Sequence, residues 1–377
     1  MINNKKWLFV IAIALWICSC VEPFNLNVKS DLRLLTIDAT LTDTEEEQTI
    51  TITESVNSSG RVVAFPVLQV KAELLVNGNQ KIAFVEKGAG KYALPKTFQA
   101  KAGNSYQLFF TKSDGSKFES GVDIMFTTPE IIRVHDEFVF DGIEKSYGYD
   151  HANYVYLDTK DPANEQNSYV WSWQLWERQD VCFTCESGRY FETPRPGGCR
   201  REASYEGITY DYYCDGDCWE IFYSTELNVF SDIYTNGNLI SNRLIAKIPF
   251  YNSAGALLEI KQQSVSPNAY RYLKLLAEQI QNNGSLVDTP PAALIGNIKN
   301  INKPEEVVAG FFMVTSVRYE KYWIDRKEPI ARKLTPTGLR EHSIREEPFS
   351  NIPGRPPLAP CILSQTRTPI KPKGWIK

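Results

Sequence analysis

Residues 68–86 read Leu-Gln-Val-Lys-Ala-Glu-Leu-Leu-Val-Asn-Gly-Asn-Gln-Lys-Ile-Ala-Phe-Val-Glu, and they indicate that the chain is built from β-strands. Two strand-like runs, Leu68–Leu75 and Ile82–Glu86, lie on either side of the Asn77-Gly78 pair. An Asn-Gly pair between two such runs is the strongest short-range signal for a β-hairpin. We therefore predict an antiparallel hairpin that turns at Asn77-Gly78.

The sequence on both sides of this hairpin has the same character. Leu35, Ile37, Ala39 and Leu41 alternate with polar residues, as expected for a strand with one buried face. Further strand candidates with turn residues between them are residues 49–53, 106–110 and 117–120. Short strands with turns every eight to twelve residues are typical of β-sandwiches. We predict an immunoglobulin-like β-sandwich over residues 31–129.

Residues 130–377 form a second, larger β-rich domain in this prediction. Its strand candidates are residues 132–140, 154–157, 169–176, 226–230, 244–251 and 256–262. Trp171 and Trp173 share one face of their strand because side chains alternate along a strand. An aromatic stripe in a β-rich domain is more often core than ligand platform, so we expect these tryptophans to be core residues.

One clear helix is predicted, at about residues 267–281. Ser266 is a suitable N-cap and Pro267 suits the first helical position. Apolar side chains then recur every three to four residues at Tyr270, Leu273, Ala277 and Ile280. Asn283-Gly284 ends the helix in this prediction. A single helix argues against an all-helical solenoid.

The N-terminus has the pattern of a lipoprotein signal peptide. Lys5-Lys6 precedes eleven apolar residues, Trp7–Ile17, a run too short to span a bilayer. Ser19 precedes Cys20, as in a bacterial lipobox. We predict a signal peptide over residues 1–19, acylation of Cys20 with chains such as palmitate, and a tether over residues 20–30. The alternative is an ordinary secretory peptide. Two or more acyl chains make a stable anchor.

The charge of the chain excludes some classes of partner. Loss of residues 1–19 removes Lys5 and Lys6 and changes the formal net charge from −4 to −6. The mature sequence has no block of basic residues, so we do not expect it to bind nucleic acid. It also has no second apolar run long enough to cross a membrane.

Six cysteines follow the acylated one, and five of them lie in a Cys-rich insertion at residues 177–220. The six are Cys182, Cys185, Cys199, Cys214, Cys218 and Cys361. An even number in an exported protein favours three disulfides, two within the insertion and one to Cys361. The spacings of Cys182/Cys185 and Cys214/Cys218 also suit zinc, which remains the alternative. A redox Cys-x-x-Cys is disfavoured. The insertion also carries four acidic residues, predicted to be solvated rather than calcium ligands: Asp211, Asp215, Asp217 and Glu220.

Several segments together resemble a family of outer-membrane lipoproteins of Bacteroidota with a domain of unknown function. The segments are Cys20-Val21-Glu22-Pro23-Phe24, Ser266-Pro267 with Tyr270, Tyr272 and Leu273, residues 284–292, Ile295-Gly296-Asn297-Ile298, Val307-Val308 with Gly310-Phe311-Phe312, and residues 371–375. The resemblance covers essentially the whole mature chain. It implies that the protein is encoded beside a TonB-dependent receptor and works with it, and it implies no catalytic residue. From the residues alone, the segment 266–312 indicates a helix-to-strand crossover.

The sequence offers no recognisable catalytic set. Its three histidines, His135, His151 and His342, are far apart, and His151 with Asp150 and Tyr154 suggests a polar loop cluster. No nucleophile elbow, phosphate-binding loop or zinc-protease helix appears. We expect a surface-exposed outer-membrane lipoprotein that is a non-catalytic partner of a TonB-dependent receptor, without metal or cofactor. The alternatives are a surface hydrolase with an unrecognised active site and a structural envelope protein.

Overall fold

A computed structural model describes residues 33–58, 61–163, 165–166, 168–179, 181–191, 198–213, 218–281, 294–339, 345–346 and 363–376. The fold is mainly β, with one long helix, as the sequence predicts. The segment Cys20–Phe24, Asn283-Gly284, His342, Cys214 and Cys361 lie outside these residues.

The strands of the first third of the chain are β1 (Arg33–Thr42), β2 (Thr49–Ser58), β3 (Arg61–Pro66), β4 (Lys71–Val76), β5 (Gln80–Ala83), β6 (Val85–Gly88), β7 (Lys91–Ala93), β8 (Ser105–Thr111), β9 (Lys117–Ser120) and β10 (Asp123–Ile124). Those of the middle are β11 (Ile131–Glu144), β12 (Tyr149–Lys160), β13 (Ser168–Arg178), β14 (Val181–Glu186), β15 (Gly188–Phe191), β16 (Gly198–Arg201), β17 (Thr209–Tyr213), β18 (Trp219–Tyr223), β19 (Asn228–Ser231), β20 (Leu239–Pro249) and β21 (Ala256–Val265). The remainder are β22 (Ile298–Asn300), β23 (Val308–Ile324), β24 (Arg345–Glu346) and β25 (Arg367–Thr368), with helices α1 (Pro267–Gln281) and α2 (Lys327–Ala331).

The predicted hairpin is present between β4 and β5. Val76 pairs with Gln80, and Asn77 and Gly78 both have a positive φ, of 49° and 71°. Asn and Gly are the residues that adopt this left-handed conformation most readily. The Asn77 side chain also accepts a hydrogen bond from the amide of Ser105, at 2.9 Å. The hairpin prediction is confirmed.

Two sheets enclose the first core in a sandwich-like arrangement. One contains β1, β2, β3, β6 and β7, and the other has the order β22-β9-β8-β4-β5, with β10 paired to β8. Alternate residues of β1 and β8 are buried, as the sequence pattern predicts. The shared core includes Leu35, Ile37, Leu74, Leu108 and Phe118.

Two strands from the C-terminal part of the chain complete this sandwich. The first half of β23 pairs in parallel with β1, from Leu35↔Val308 to Thr42↔Thr315, and β22 pairs with β9. The predicted range of residues 31–129 omits both strands. It does so because a parallel partner arrives through a long crossover, whereas the local pattern reveals only sequential hairpins.

Gly296, Asn297 and Gly310 form the junction that joins these returning strands. A Cβ at Gly310, where φ is +96°, would overlap the carbonyl oxygen of Ile37, and one at Gly296 would overlap that of Gly310. Asn297 donates to the carbonyl of Phe312 at 2.7 Å and accepts from its amide at 2.8 Å. These contacts give the family-like segments an architectural role.

The second half of β23 continues into the middle of the chain. It pairs with β21, which pairs with β13, so that one eleven-stranded sheet runs from β25 to β6. A three-stranded sheet, β11-β12-β20, packs against its β13-β21 portion through a second core that includes Val155, Trp171 and Ile260.

A buried polar network connects these two sheets. Arg326, with φ of 55°, donates to Glu177 at 2.8 Å and to Asn153 at 2.7 Å, and Asn252 donates to Glu177 at 3.0 Å. The side chains of Arg326 and Glu177 are both 0% exposed. Burial raises the pKa of Glu177 to about 7, although Arg326 acts to lower it.

The predicted helix is present as α1, Pro267–Gln281. Ser266 caps it, because its hydroxyl accepts from the amide of Ala269 at 3.2 Å. Its apolar face packs on Val265 and Phe311, and Tyr272 stacks on Phe311 with ring centroids 4.8 Å apart.

The C-terminal residues are held by strand pairing and aromatic contacts. β25 pairs with β18, and Trp375 packs edge-on against Trp219 and Trp323, with ring centroids 5.8 Å and 4.9 Å apart.

Candidate functional site

A groove lies between the two sheets of the middle part of the chain. One wall is β20, an edge strand of the three-stranded sheet, and the other consists of β13 and residues 222–229. The end of α1 closes one side through Lys274, Ala277 and Glu278. The cavity has a volume of about 790 Å³. Small-molecule sites typically enclose roughly 300–1,000 Å³, so this groove has the size of a ligand site.

Aromatic side chains form its floor. Trp171 is buried and its indole nitrogen donates to the side chain of Gln262 at 2.9 Å, whereas Trp173 is half-buried and faces the cavity. Phe222 and Tyr251 stack with centroids 4.9 Å apart and an interplanar angle of 9°. The prediction that the tryptophan stripe is core is confirmed for Trp171. Trp173 packs against the same core but also lines the groove.

Arg243 brings a positive charge onto this floor. Its guanidinium lies 5.4 Å from the ring centroid of Trp171 and 5.2 Å from that of Phe230. It also donates to the side chain of Asn228 and to the carbonyl of Val229. Its Nε atom is buried and has no hydrogen-bond partner. Burial lowers the pKa of Arg243 from its usual value. The aromatic contacts hold the cation in place without neutralising it.

The rim of the groove carries both signs of charge. Lys247, Lys274, Glu226 and Glu278 are exposed lining residues, and none of them forms an ion pair with another side chain that the structure describes. Lys247 lies over the ring of Tyr154 at 4.8 Å. Unpaired charges around an aromatic floor suit an amphipathic ligand that has an apolar ring and ionised groups.

The two described histidines, His135 and His151, do not line this groove. The Nδ1 atom of His151 accepts from the amide of Asp141 at 3.1 Å and also lies near the Asp141 carboxylate. Asp150 instead pairs with Lys145. His135 stacks on Tyr156 at 5.4 Å. The structure therefore does not show the predicted loop cluster: His151 lies on β12 beside Phe138 and Phe140, and its neighbouring acid is Asp141 rather than Asp150.

The Cys-rich insertion contains a disulfide. Cys185 and Cys199 are bonded, with their Cα atoms 5.5 Å apart, and connect β14 to β16 beside Tyr190 and Tyr210. Cys218 is also disulfide-bonded. The side chain of Cys182 lies outside the described residues, as do those of Cys214 and Cys361, so the other predicted pairings stay predictions.

Of the four acidic residues that the sequence analysis names in the insertion, the structure describes the side chain of Glu220. Glu220 pairs with Arg367 at 3.1 Å. The side chains of Asp211, Asp215 and Asp217 lie outside the described residues. Within the residues that the structure describes, no group of three His, Cys, Asp or Glu side chains could hold a metal ion.

The sequence did not reveal the residues that make the groove. Arg243, Phe222 and Tyr251 lie on different elements, and their contacts depend on how the two sheets pack. No described helix is long and apolar enough to span a membrane.

The chain matches a model of a known protein family. A model of the family described as Domain of unknown function (DUF4249) matches residues 21–321. This range includes both walls of the groove, the helix α1 and the junction at Gly310. No curated protein matches the chain.

Proposed function

Because the chain belongs to the DUF4249 family, we propose that it is a lipid-anchored, surface-exposed outer-membrane protein that binds a small ligand. In this proposal it acts as a non-catalytic accessory of a TonB-dependent receptor. The observation that carries the proposal is the groove of about 790 Å³ with an aromatic floor and a fixed arginine. Such a surface binds a ligand through stacking and charge.

The anchor and the receptor rest on sequence. Lys5-Lys6, the apolar run and Ser19-Cys20 support acylation at Cys20. The resemblance to Bacteroidota lipoproteins supports a receptor partner.

Co-purification tests the receptor partner. A tagged full-length protein, extracted from outer membranes in mild detergent, should bring down a TonB-dependent receptor. The variant Cys20→Ala should lose its stable anchoring in the outer membrane, and recovery of the receptor should fall with it. Recovery of the wild-type protein alone, with turnover of a glycan or peptide, would instead support the hydrolase. A structural envelope protein would show neither a receptor nor a ligand.

Substitutions in the groove test ligand binding. The anionic aromatic dye anilinonaphthalene sulfonate is a suitable probe, because it offers a ring for Trp173 and a sulfonate for Arg243. We expect Trp173→Ala to weaken dye binding by about tenfold, the loss of roughly one aromatic contact. Trp176→Ala is the matched control, since Trp176 is half-buried on the opposite face of β13. Equal affinities for the two variants would contradict a ligand site in the groove.

A further inference from the structure

The strand β3 is exposed along its length. Every residue from Val62 to Pro66 is exposed, with Val62 at 75% and Phe65 at 54%. The strand reads Arg-Val-Val-Ala-Phe-Pro, so its exposed surface is apolar. An apolar edge strand open to water is an aggregation hazard, and exposed apolar patches usually mark an interaction site.

Both faces of β3 are apolar. Side chains alternate along a strand, so Val62 and Ala64 lie on one face and Val63 and Phe65 on the other. The core under β1 and β2 does not extend to cover either face. A protein partner that packs on a sheet covers one face, whereas an apolar medium surrounds both. This arrangement therefore fits a lipid surface better than a docked protein.

The position of β3 supports the same occupant. Arg33, the first residue of β1, pairs with Val56, which pairs with Val63. The β2–β3 hairpin thus ends beside the point where the chain enters the fold. Cys20 lies 13 residues before Arg33, and a fully extended chain of that length spans at most about 45 Å. The apolar strand lies at the tethered end of the sandwich.

We propose that the β2–β3 hairpin inserts its apolar strand into the interfacial region of the membrane that carries the anchor. This inference rests on the lipid anchor of the proposed function. Insertion is shallow, because the outer edge of β3 has no strand partner within the described residues and its amides need water or lipid head groups. The exposed side chain of Arg33 lies in the same row and forms an ion pair with Glu54 at 3.3 Å.

Vesicle flotation of the full mature chain with Cys20→Ser tests the hairpin separately from the anchor. The vesicles contain phosphatidylethanolamine and phosphatidylglycerol. We expect measurable binding by the unacylated protein, reduced about fivefold by Val62→Ser and about tenfold when Phe65→Ser is added. Both side chains are exposed, so the fold should persist, and circular dichroism checks this.

Val85→Ser is the matched control. Val85 is 60% exposed on β6 of the same sheet. It pairs with Ala93, which pairs with Thr49 at the end of β2 opposite the β2–β3 turn, so it lies away from the apolar strand β3. We expect this variant to bind vesicles as the parent does. The proposal is overturned if the unacylated protein does not float, or if Val62→Ser and Val85→Ser behave alike. Loss of receptor co-purification by the hairpin variant with unchanged flotation would also overturn it, in favour of a protein partner. A separate labelling of Cys20 with palmitate tests the anchor itself.

Discussion

Glu177 and Arg326 form an ion pair with no solvent access, and the pair connects β13 to the end of β23. Taking two charges out of water costs several kcal/mol per ion, which the attraction and the added hydrogen bonds must offset. Here Asn153 and Asn252 supply those hydrogen bonds. The raised pKa of Glu177 shows that burial outweighs the attraction of Arg326 near neutral pH.

This pKa predicts a pH dependence of stability. In the folded protein the Glu177 carboxyl holds its proton up to a pH of about 7, whereas in the unfolded chain it loses it near 4.5. The folded state therefore binds more protons between these values, so this group's contribution to the free energy of unfolding falls as the pH rises through that window. At about 1.4 kcal/mol for each pH unit, the loss is on the order of 3 kcal/mol.

Glu177→Gln isolates this effect, because the amide does not titrate. We expect the free energy of unfolding of the wild type to fall relative to that of Glu177→Gln between pH 4.5 and pH 7.5. Chemical denaturation at the two pH values gives the comparison. Glu259→Gln is the control, because Glu259 lies on the neighbouring strand β21 but is only half-buried and pairs with Lys321. Parallel changes in the wild type and Glu177→Gln would contradict the raised pKa.

Single residues that act locally could be predicted from sequence, and those that act at a distance could not. Asn77-Gly78 and Ser266 were recognised because a turn and a helix cap depend on a few neighbouring residues. Arg326 contacts Asn153 and Glu177 across 173 and 149 residues of chain. Arg243 is recognisable as a groove residue only after β13 and β20 are packed. No local pattern carries that information.

At the level of elements, β23 connects the two parts of the large sheet. It pairs in parallel with β1 through its first half and antiparallel with β21 through its second. The backbones of Gly296, Gly310 and Ile37 meet at the parallel half, so closely that a side chain would separate them. The two glycines and Asn297 therefore define how β23 enters the sheet.

Gly310→Ala should be strongly destabilising. The new methyl group would overlap the carbonyl of Ile37 and force β1 and β23 apart, and we expect a loss of about 3 kcal/mol in the free energy of unfolding. Gly88→Ala is the control, because Gly88 has a similar φ of +90° but open space around it. Its cost should be about 1 kcal/mol, from backbone conformation alone. Equal melting temperatures for the two variants would show that the close approach is not rigid.

The elements themselves were largely predictable, and their partners were not. The helix bounds agree because capping and periodicity are local, and the strands agree because alternation is local. The parallel pairing of β1 with β23 joins residues more than 270 positions apart, and β23 reads like any other apolar strand. The composition of β23 does not indicate whether its strand partner belongs to the first or to the second predicted domain.

Over the whole molecule, the first sandwich depends on the last third of the chain. Ile298, Val308, Phe312 and Val314 belong to the same core as Leu35 and Leu74. Without β22 and β23, that core is open along β1 and β9. Residues 31–129, whose sequence pattern predicts an independent domain, thus lack part of their hydrophobic core.

A fragment of residues 31–129 should consequently fail to fold by itself. We expect no cooperative thermal transition by circular dichroism and poor dispersion of its amide resonances. The same fragment joined through a Gly/Ser linker to residues 294–316 should regain a cooperative transition, because the missing strands are restored. A cooperative transition in the short fragment would show that residues 31–129 form a complete domain.

The pairing of β23 with β1 also determines when the first sheet can form during synthesis. After Thr42 leaves the ribosome, its neighbour in the sheet is not made until Thr315, a wait of roughly 15–55 seconds at typical rates of synthesis. Throughout that interval, the edge of β1 that later pairs with β23 has no strand partner and is exposed to other molecules. The nascent protein therefore needs either a chaperone that covers the unpaired edge of β1 or export across a membrane before the first sheet is complete.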